Sequence, residues 1–383
     1  MKQELSKLAF KFVMIVGIVN LFADMTYEGG RGIAGPFLGL LGASATVVGF
    51  VAGFGELLGY SLRSVSGYIA DKTHRYWAVI FVGYAVNMLA VPAAAVLIIA
   101  ERTGRAIRRP AVEAMLSHAG KSIGRGWVFG LNEALDQGGA TVGPLITALV
   151  LYLKGGYREA FAVLLISAAL CLGTLCIARI LYPRPHELEE RAPQRLQTRG
   201  FPHAFWVYTA GGALIAAGFA DFSLIAFHFQ KASVVSQSIV PVFYAAAMAT
   251  GAIVSLVFGR LLDKLGLPVL VAAFLLSAFF APFVFWGGFS LALVGVILWG
   301  VGMGAQDSLL KAVLAGIVPA EKRSTGFGVF DTGFGIAWFA GSAVMGLLYD
   351  VSIVALVVFS VVLQLAALPV LSRVERNTRD VTG

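Results

Sequence analysis

Long apolar runs dominate the sequence, and about twelve of them reach the length that a helix needs to cross a bilayer. A spanning helix takes about 20 mostly apolar residues. Of the 383 residues, 58% are hydrophobic and only 13% are charged, whereas a soluble protein carries roughly 25% charged residues. The short alternating segments of a membrane β-barrel are not evident. We therefore predict an all-α integral membrane protein with twelve transmembrane helices.

The basic residues are concentrated on one set of alternate connections between the apolar runs. Lys72, Arg75, Lys121 and Arg125 are examples from the first half of the chain. This asymmetry follows the positive-inside rule, which puts the basic connections and both termini in the cytoplasm. The net charge of +8 is therefore assigned to membrane topology rather than to nucleic-acid binding. We predict a multi-pass protein of the cell membrane.

The first apolar run contains polar residues that share one helix face. Asn20, Asp24, Glu28 and Arg31 follow each other at spacings of four, four and three, which places them on one side of a helix. A charge that faces lipid costs several kcal/mol, so such residues usually face a protein interior or a water-filled cavity. The triplet Phe-Ala-Asp that contains Asp24 returns at 219–221. This face predicts a polar cavity.

The second half of the sequence repeats landmarks of the first half. A shift of 198 residues carries Arg125 onto Arg323 and Gly143 onto Gly341, and a shift of 197 carries Asp24 onto Asp221. Two six-helix halves related by an axis along the membrane normal are a known transporter plan. We predict two pseudo-symmetric bundles at 1–182 and 201–374, a cytoplasmic linker at 183–200, and a cytoplasmic tail at 375–383.

A short basic motif follows the second apolar run and is repeated in the other half. It contains Gly67, Asp71, Lys72 and Arg75 and resembles the signature Gly-x-x-x-Asp-Arg/Lys-x-Gly-Arg of the major facilitator superfamily, with His74 in place of the later glycine. The resemblance implies twelve helices and a conformational switch. It also implies that Asp71 meets the start of the eleventh apolar run, near residues 323–328.

The fifth apolar run carries a second motif, composed of Gly130, Gly139, Gly143 and Pro144. It resembles the antiporter motif of the drug–proton exchange branch of the same superfamily, although two final glycines are replaced. Glycines flatten a helix face, and we expect this face to pack against the other half. The alternative is a glycine-rich membrane helix without a role in exchange.

Acidic residues inside the apolar runs are the candidates for proton coupling. Glu133 and Asp136 lie roughly 12 to 17 Å deep at about 1.5 Å per residue, and Arg102 reaches a similar depth from the fourth run. The pairing of Arg102 with these two acids is either a structural ion pair or part of a proton switch. A switch is possible in principle because burial raises the pKa of a carboxylate and a nearby cation lowers it. The complete set of candidates is Asp24, Glu133, Asp136 and Asp221.

The repeat also predicts a gate at the inner ends of the fourth and tenth apolar runs. Arg109 and Glu113 correspond to Asp307 and Lys311, with the charges reversed. If the halves close there, Arg109 pairs with Asp307 and Glu113 with Lys311. The alternative is that each pair is formed within its own helix at a spacing of four.

The remaining polar and aromatic residues of these runs are candidates for the wall of the cavity. We find no phosphate-binding loop, metal cluster or nucleophile–base pair, so we predict no enzyme, no cofactor and no metal. His228 aligns with Arg31 in the repeat and is placed at the outer rim. The candidates are Asn20, Tyr27, Glu28, Arg31, Arg102, Phe222, His228, Phe330 and Asp331.

These features favour a secondary transporter that works by alternating access. The leading hypothesis is proton-coupled antiport that exports a small amphiphilic molecule. The first alternative is a proton-coupled importer of a small anionic metabolite, bound by Arg31, Arg102 and Arg105. The second is a lipid-handling protein that uses Arg105, Arg108 and Arg109. The expected partners are a small-molecule substrate, protons and membrane lipids, and we expect no nucleic acid and a monomer.

Overall fold

The structure is a computed structural model of the chain. It describes residues 2–40, 45–90, 98–153, 156–184, 200–235 and 240–379. Helices account for most of these residues because a lipid-embedded backbone has to satisfy its polar groups within its own segment. The first half contains α1 (Lys2–Leu40), α2 (Ala45–Thr73), α3 (Tyr76–Ala90), α4 (Ile98–Ile123), α5 (Arg125–Tyr152) and α6 (Tyr157–Leu181).

The second half of the chain is more interrupted. A π-helical turn, Ala305–Leu309, joins two of its helices, and a short 3₁₀ turn, Ala320–Lys322, precedes another. Its helices are α7 (His203–Gly218), α8 (Phe222–Lys231), α9 (Val240–Leu265), α10 (Pro268–Ser277), α11 (Phe280–Trp286), α12 (Phe289–Gly304), α13 (Leu310–Ile317), α14 (Arg323–Val351) and α15 (Ile353–Arg379).

The first apolar run of the second half is not one continuous helix, because α7 ends at Gly218 and α8 begins at Phe222. Side chains replace the lost backbone hydrogen bonds. Ser360 Oγ donates to the Gly218 carbonyl at 2.6 Å, and Trp299 Nε1 donates to the Ala220 carbonyl at 2.8 Å. Broken helices at membrane depth are tolerated where other protein groups satisfy the freed backbone in this way.

Eight helical stretches of the described residues are long and apolar enough to cross a membrane. This agrees with the predicted all-α membrane fold. The stretches are Ser6–Gly30, Arg125–Leu151, Tyr157–Leu181, Val242–Leu265, Pro268–Trp286, Phe289–Ile317, Ala320–Val351 and Ile353–Arg373. The helix Tyr76–Ala90 is apolar but shorter.

The chain divides into two compact units. The first contains Met1–Gln194 together with Pro319–Thr332, and the second contains Arg195–Val318 and Gly333–Gly383. The bundle bounds and the linker at 183–200 stay predictions. The first unit also includes the first ten residues of α14, which the repeat assigns to the second bundle.

Candidate functional site

Asn20 and Asp24 form the centre of a buried polar cluster in the first unit. Both lie on α1, and only 4% and 6% of their surfaces are exposed. Their spacing of four puts them one turn apart on the same face, as predicted. Glu28 continues this face and is half-buried. The side chain of Arg31, the fourth predicted member, lies outside the described residues.

Two arginines of α4 hold the carboxylate of Asp24. Arg105 Nη2 lies 3.8 Å from one carboxylate oxygen, and Arg108 Nη2 lies 3.8 Å from the other. A charge-assisted N–H···O bond is about 2.7–2.9 Å long, so these contacts are ion pairs without close hydrogen bonds. Arg105 and Arg108 are three residues apart and therefore reach the same carboxylate from one face of α4.

Asn20 connects α1 to three other helices. Its Nδ2 donates to Asn132 Oδ1 of α5 at 2.7 Å, and its Oδ1 accepts from Arg108 Nη1 at 3.3 Å. The hydroxyl of Tyr84 on α3 donates to the same oxygen. The Arg108 guanidinium also stacks on the Tyr84 ring, 4.3 Å from its centroid. The sequence did not single out Tyr84 or Asn132, although each is a polar group within an apolar run.

Tyr27 is covered by the arginines of α4. The Arg102 and Arg105 guanidinium carbons lie 5.0 and 4.3 Å from the ring centroid, which is within cation–π range. Tyr27 is only 2% exposed. Arg102 was expected beside Glu133 and Asp136, and the structure adds the face of Tyr27 to its surroundings.

The two acids of α5 have different surroundings. Glu133 is buried, and its Oε1 accepts from Gln137 Nε2 at 2.7 Å. Asp136 is half-buried, and its Oδ1 is shielded from solvent without a hydrogen-bond donor among the described residues. Glu133 and Asp136 therefore differ in their hydrogen bonding, and Asp136 has the carboxylate oxygen that lacks a donor.

The glycines of α5 pack on α1, which corrects the expectation that they pack against the other half. A Cβ atom at Gly139 would lie 2.9 Å from the Leu21 carbonyl carbon, and one at Gly143 would lie 2.9 Å from the Met25 carbonyl carbon. Neither position has room for a side chain. The physical reason is that α1 crosses α5 with its backbone in direct contact there. Gly130 is also buried, and Pro144 lies inside the continuous helix.

Asp71 makes the contact that the family resemblance implies. Its carboxylate accepts from the backbone N–H groups of Ser324 at 3.2 Å and Thr325 at 2.6 Å, and from the Thr325 hydroxyl at 2.6 Å. These donors belong to the first turn of α14, where an acid also interacts favourably with the helix dipole. Gly67 permits the approach, since a Cβ there would lie 2.8 Å from the Ser324 carbonyl carbon. Lys72 and Arg75 are exposed.

A buried ion pair extends this contact between α2 and α14. Arg63 Nη1 lies 3.0 Å from Asp331 Oδ2, and the two side chains are 8% and 3% exposed. Asp331 was predicted to line the cavity, but the structure pairs it with Arg63, which the sequence did not single out. Phe330 beside it is fully buried, at 1% exposure.

The candidates of the second unit lie around the break between α7 and α8. Asp221 is half-buried at the break itself. Phe222 is also half-buried and lies 4.7 Å from Tyr244 between ring centroids. His228 is buried at 3% exposure, and its Nδ1 lies 3.0 Å from the Tyr349 hydroxyl.

The predicted gate residues are placed within their own units. Arg109 Nε lies 3.2 Å from Glu113 Oε1, one turn along α4, which is the alternative pairing at a spacing of four. Asp307 lies in the π-helical turn, and Lys311 is 5% exposed. The pairing of Arg109 with Asp307 and of Glu113 with Lys311 stays a prediction. Among the described residues, no three His, Cys, Asp or Glu side chains are grouped to hold a metal ion.

Comparison with known proteins identifies the family. The model of the Major Facilitator Superfamily matches residues 16–342 and 245–382. An uncharacterized protein of Mycobacterium tuberculosis is 39% identical over 375 residues, which cover 94% of this chain and 92% of the relative.

Two solved structures share the fold. The human organic anion transporter MFSD10 (TETRAN) superposes with a TM-score of 0.73 at 16% identity, over 95% of this chain and 99% of that one. A bacterial homologue of the iron transporter ferroportin, in an outward-facing state, gives 0.70 at 14% identity, over 95% and 99% of the two chains. The chain is thus a multi-pass membrane transporter rather than an enzyme, and it belongs to the Major Facilitator Superfamily.

Proposed function

We propose that this protein is a proton-coupled symporter of a small organic anion and that Asp24 is its coupling acid. The observation that carries the proposal is the pair of 3.8 Å contacts from Arg105 and Arg108 to the buried Asp24 carboxylate. Arginine recognises carboxylates and phosphates through its planar set of donors. A substrate anion therefore competes with Asp24 for the same two guanidinium groups.

The arrangement makes proton and anion binding mutually supportive. When Asp24 is charged, it occupies the arginines and opposes anion binding. When a proton neutralises Asp24, Arg105 and Arg108 are released for the substrate, and a bound anion in turn favours the protonated acid. Two ligands that favour each other's binding travel together, by reciprocal linkage. Mutually favourable binding of a proton and an anion is expected of a symporter. It therefore favours the import hypothesis from the sequence over antiport.

The packing of α5 is consistent with this preference. Gly139 and Gly143 contact the backbone of α1, so the glycine pattern has a structural use that requires no proton exchange. Phosphates and carboxylates of small size are the substrate class that we expect.

Asp136 supports a second candidate function, proton-coupled antiport of a cationic or amphiphilic compound. Its shielded Oδ1 has no hydrogen-bond donor among the described residues. A proton or a cationic group of a substrate would each stabilise this carboxylate. Two ligands that compete for one acid move in opposite directions. This retains the efflux hypothesis, with Asp136 rather than Asp24 as the coupling residue.

Alternating access would involve the two bundles predicted at 1–182 and 201–374, with the site near the membrane midplane. Asp71 and the first turn of α14 would then act as a switch at the cytoplasmic side. Arg109, Glu113, Asp307 and Lys311 remain the proposed gate. We place both termini in the cytoplasm and the protein in the cell membrane as a monomer.

The test uses reconstituted vesicles that contain a pH-sensitive dye. An inward anion gradient, applied with a panel of small carboxylates and phosphate esters, should acidify the lumen for the wild type. In an Asp24→Asn variant the pH response should disappear, while exchange of labelled anion for unlabelled anion should continue, because Arg105 and Arg108 stay available. Asp350→Asn is the matched control, since Asp350 has a side chain that is 77% exposed.

The sign of the pH change separates the two candidates. If anions acidify the lumen as fast in the Asp24→Asn variant as in the wild type, Asp24 is not the coupling acid. If organic cations make the lumen alkaline instead, and only Asp136→Asn abolishes that response, antiport replaces symport.

A further inference from the structure

We propose that a groove at the start of α1 binds the headgroup of an anionic phospholipid. The groove has a volume of about 390 Å³, which lies within the range of about 300–1,000 Å³ for ligand pockets. Three helices meet there, since the chain turns from α4 into α5 next to the first turns of α1. The lining residues are Ser6, Lys7, Phe10, Lys11, Ile123 and Trp127.

The charge of the groove suits a phosphodiester. Lys7 and Lys11 lie one turn apart on α1, and both are exposed. Like charges at this spacing repel each other, and neither lysine forms an ion pair with another part of the described chain. Glu4, three residues before Lys7, is the nearby acid on the same helix. An anion between the two ammonium groups relieves the repulsion, and Ser6 adds a hydroxyl donor.

The apolar side of the groove suits the upper part of an acyl chain. Phe10 is 43% exposed, and Ile123 and Trp127 line the groove together with it. Tryptophan is enriched at the membrane–water interface because its ring is apolar and its N–H is polar. A small soluble anion would use the lysines but would leave Phe10 and Trp127 uncovered, so a lipid fits the groove better than free phosphate does.

The position along α1 places the groove at the membrane surface. The apolar stretch begins at Ser6 and ends at Gly30, with 25 residues. This length corresponds to about 37 Å, compared with a hydrocarbon thickness of about 30 Å. The first residues of the stretch therefore extend into the headgroup layer. The distribution of Lys and Arg assigns this end to the cytoplasmic leaflet, which carries the anionic lipids.

The first measurement is native mass spectrometry of protein released from micelles with equal amounts of phosphatidylglycerol and phosphatidylcholine. We expect the wild type to retain phosphatidylglycerol preferentially. Each basic residue near an anionic surface contributes roughly fivefold in affinity, so the Lys7→Gln, Lys11→Gln double variant should lower the preference by roughly thirtyfold. The matched control is Arg260→Gln with Lys264→Gln, because these two exposed residues have the same spacing at the end of α9.

A second measurement tests contact at the groove and needs no lysine variant. Brominated phosphatidylglycerol in phosphatidylcholine vesicles should quench Trp127, and the quenching should be smaller in a Trp127→Phe variant. Brominated phosphatidylcholine should show a smaller difference between the two proteins. The proposal is wrong if the groove variant and the control retain phosphatidylglycerol equally, or if Trp127 contributes nothing to quenching by the anionic lipid.

Discussion

Gly138 and Gly139 are adjacent residues of α5 that should respond oppositely to the same substitution. A Cβ atom at Gly139 would lie 2.9 Å from the Leu21 carbonyl carbon and 3.1 Å from Leu21 Cα, both backbone atoms of α1. At Gly138 the nearest atom is the flexible Leu21 Cδ1, at 3.9 Å. Gly139→Ala should therefore force α1 away from α5, whereas Gly138→Ala should fit without movement.

The size of the difference follows from two opposing terms. Alanine is favoured over glycine inside a helix by about 0.8–1.0 kcal/mol, and this gain applies at both positions. Overpacking a close contact costs about 1–3 kcal/mol, occasionally more, and this cost applies only at Gly139. An ordinary contact begins at 3.4 Å, and the Leu21 carbonyl oxygen is nearer still than the carbonyl carbon, so α1 must retreat by more than about 0.5 Å. We expect Gly139→Ala to be less stable than Gly138→Ala by about 1–3 kcal/mol.

The free energy of unfolding can be measured by titrating sodium dodecyl sulfate into detergent micelles and following helix content by circular dichroism. Gly138→Ala serves as the control for propensity, because it adds the same methyl group one residue away. Retreat of α1 should also lengthen the Asn20–Asn132 hydrogen bond, so Gly139→Ala should slow transport as well. Equal stabilities for the two variants would refute the claim that α1 touches the α5 backbone at Gly139.

Two further predictions concern the contact between α2 and α14. Removing one partner of the Arg63–Asp331 ion pair should lower the free energy of unfolding by about 3–5 kcal/mol, because the other charge stays buried. The Arg63→Met, Asp331→Leu double variant should recover most of this loss in the same titration. Additive losses from the two substitutions would contradict the pairing. Asp71→Asn should cost about 2–4 kcal/mol, because hydrogen bonds to a charged group contribute about 1.5–3 kcal/mol each and the amide keeps only one acceptor. Faster hydrogen exchange at Ser324 and Thr325 would report this loss, and unchanged exchange there would contradict it.

The membrane fold and several elements could be predicted from the sequence, since hydrophobicity and charge directly determine which segments enter a bilayer. The sixth apolar run, for example, forms the single helix α6, Tyr157–Leu181. The polar face of α1 was predictable because helical spacing alone fixes which residues share a side. The contact of Asp71 with the start of α14 came from the family resemblance, because no local pattern shows which helix end an acid meets.

The partners of the buried charges were much harder to predict. Depth along a helix can be counted from the sequence, but the rotation of one helix against its neighbour depends on packing. Arg102 was matched with Glu133 and Asp136 by depth, and that pairing stays a prediction. The contacts of Arg105 and Arg108 with Asp24, and of Arg63 with Asp331, were not predicted. The break between α7 and α8 after Gly218 could not be predicted for a similar reason. Its hydrogen-bond donors, Trp299 and Ser360, are distant in sequence.

The contacts of α1 differ on its two sides, and this difference bears on the role proposed for Asp24. On one side, α1 meets α5 through backbone contacts at Gly139 and Gly143 and through the 2.7 Å bond from Asn20 to Asn132. Such contacts have little freedom to adjust. On the other side, α1 meets α4 through ion pairs of 3.8 Å from the long side chains of Arg105 and Arg108. If Asp24 changes its charge as proposed, we expect the contact with α4 to change while α5 stays with α1.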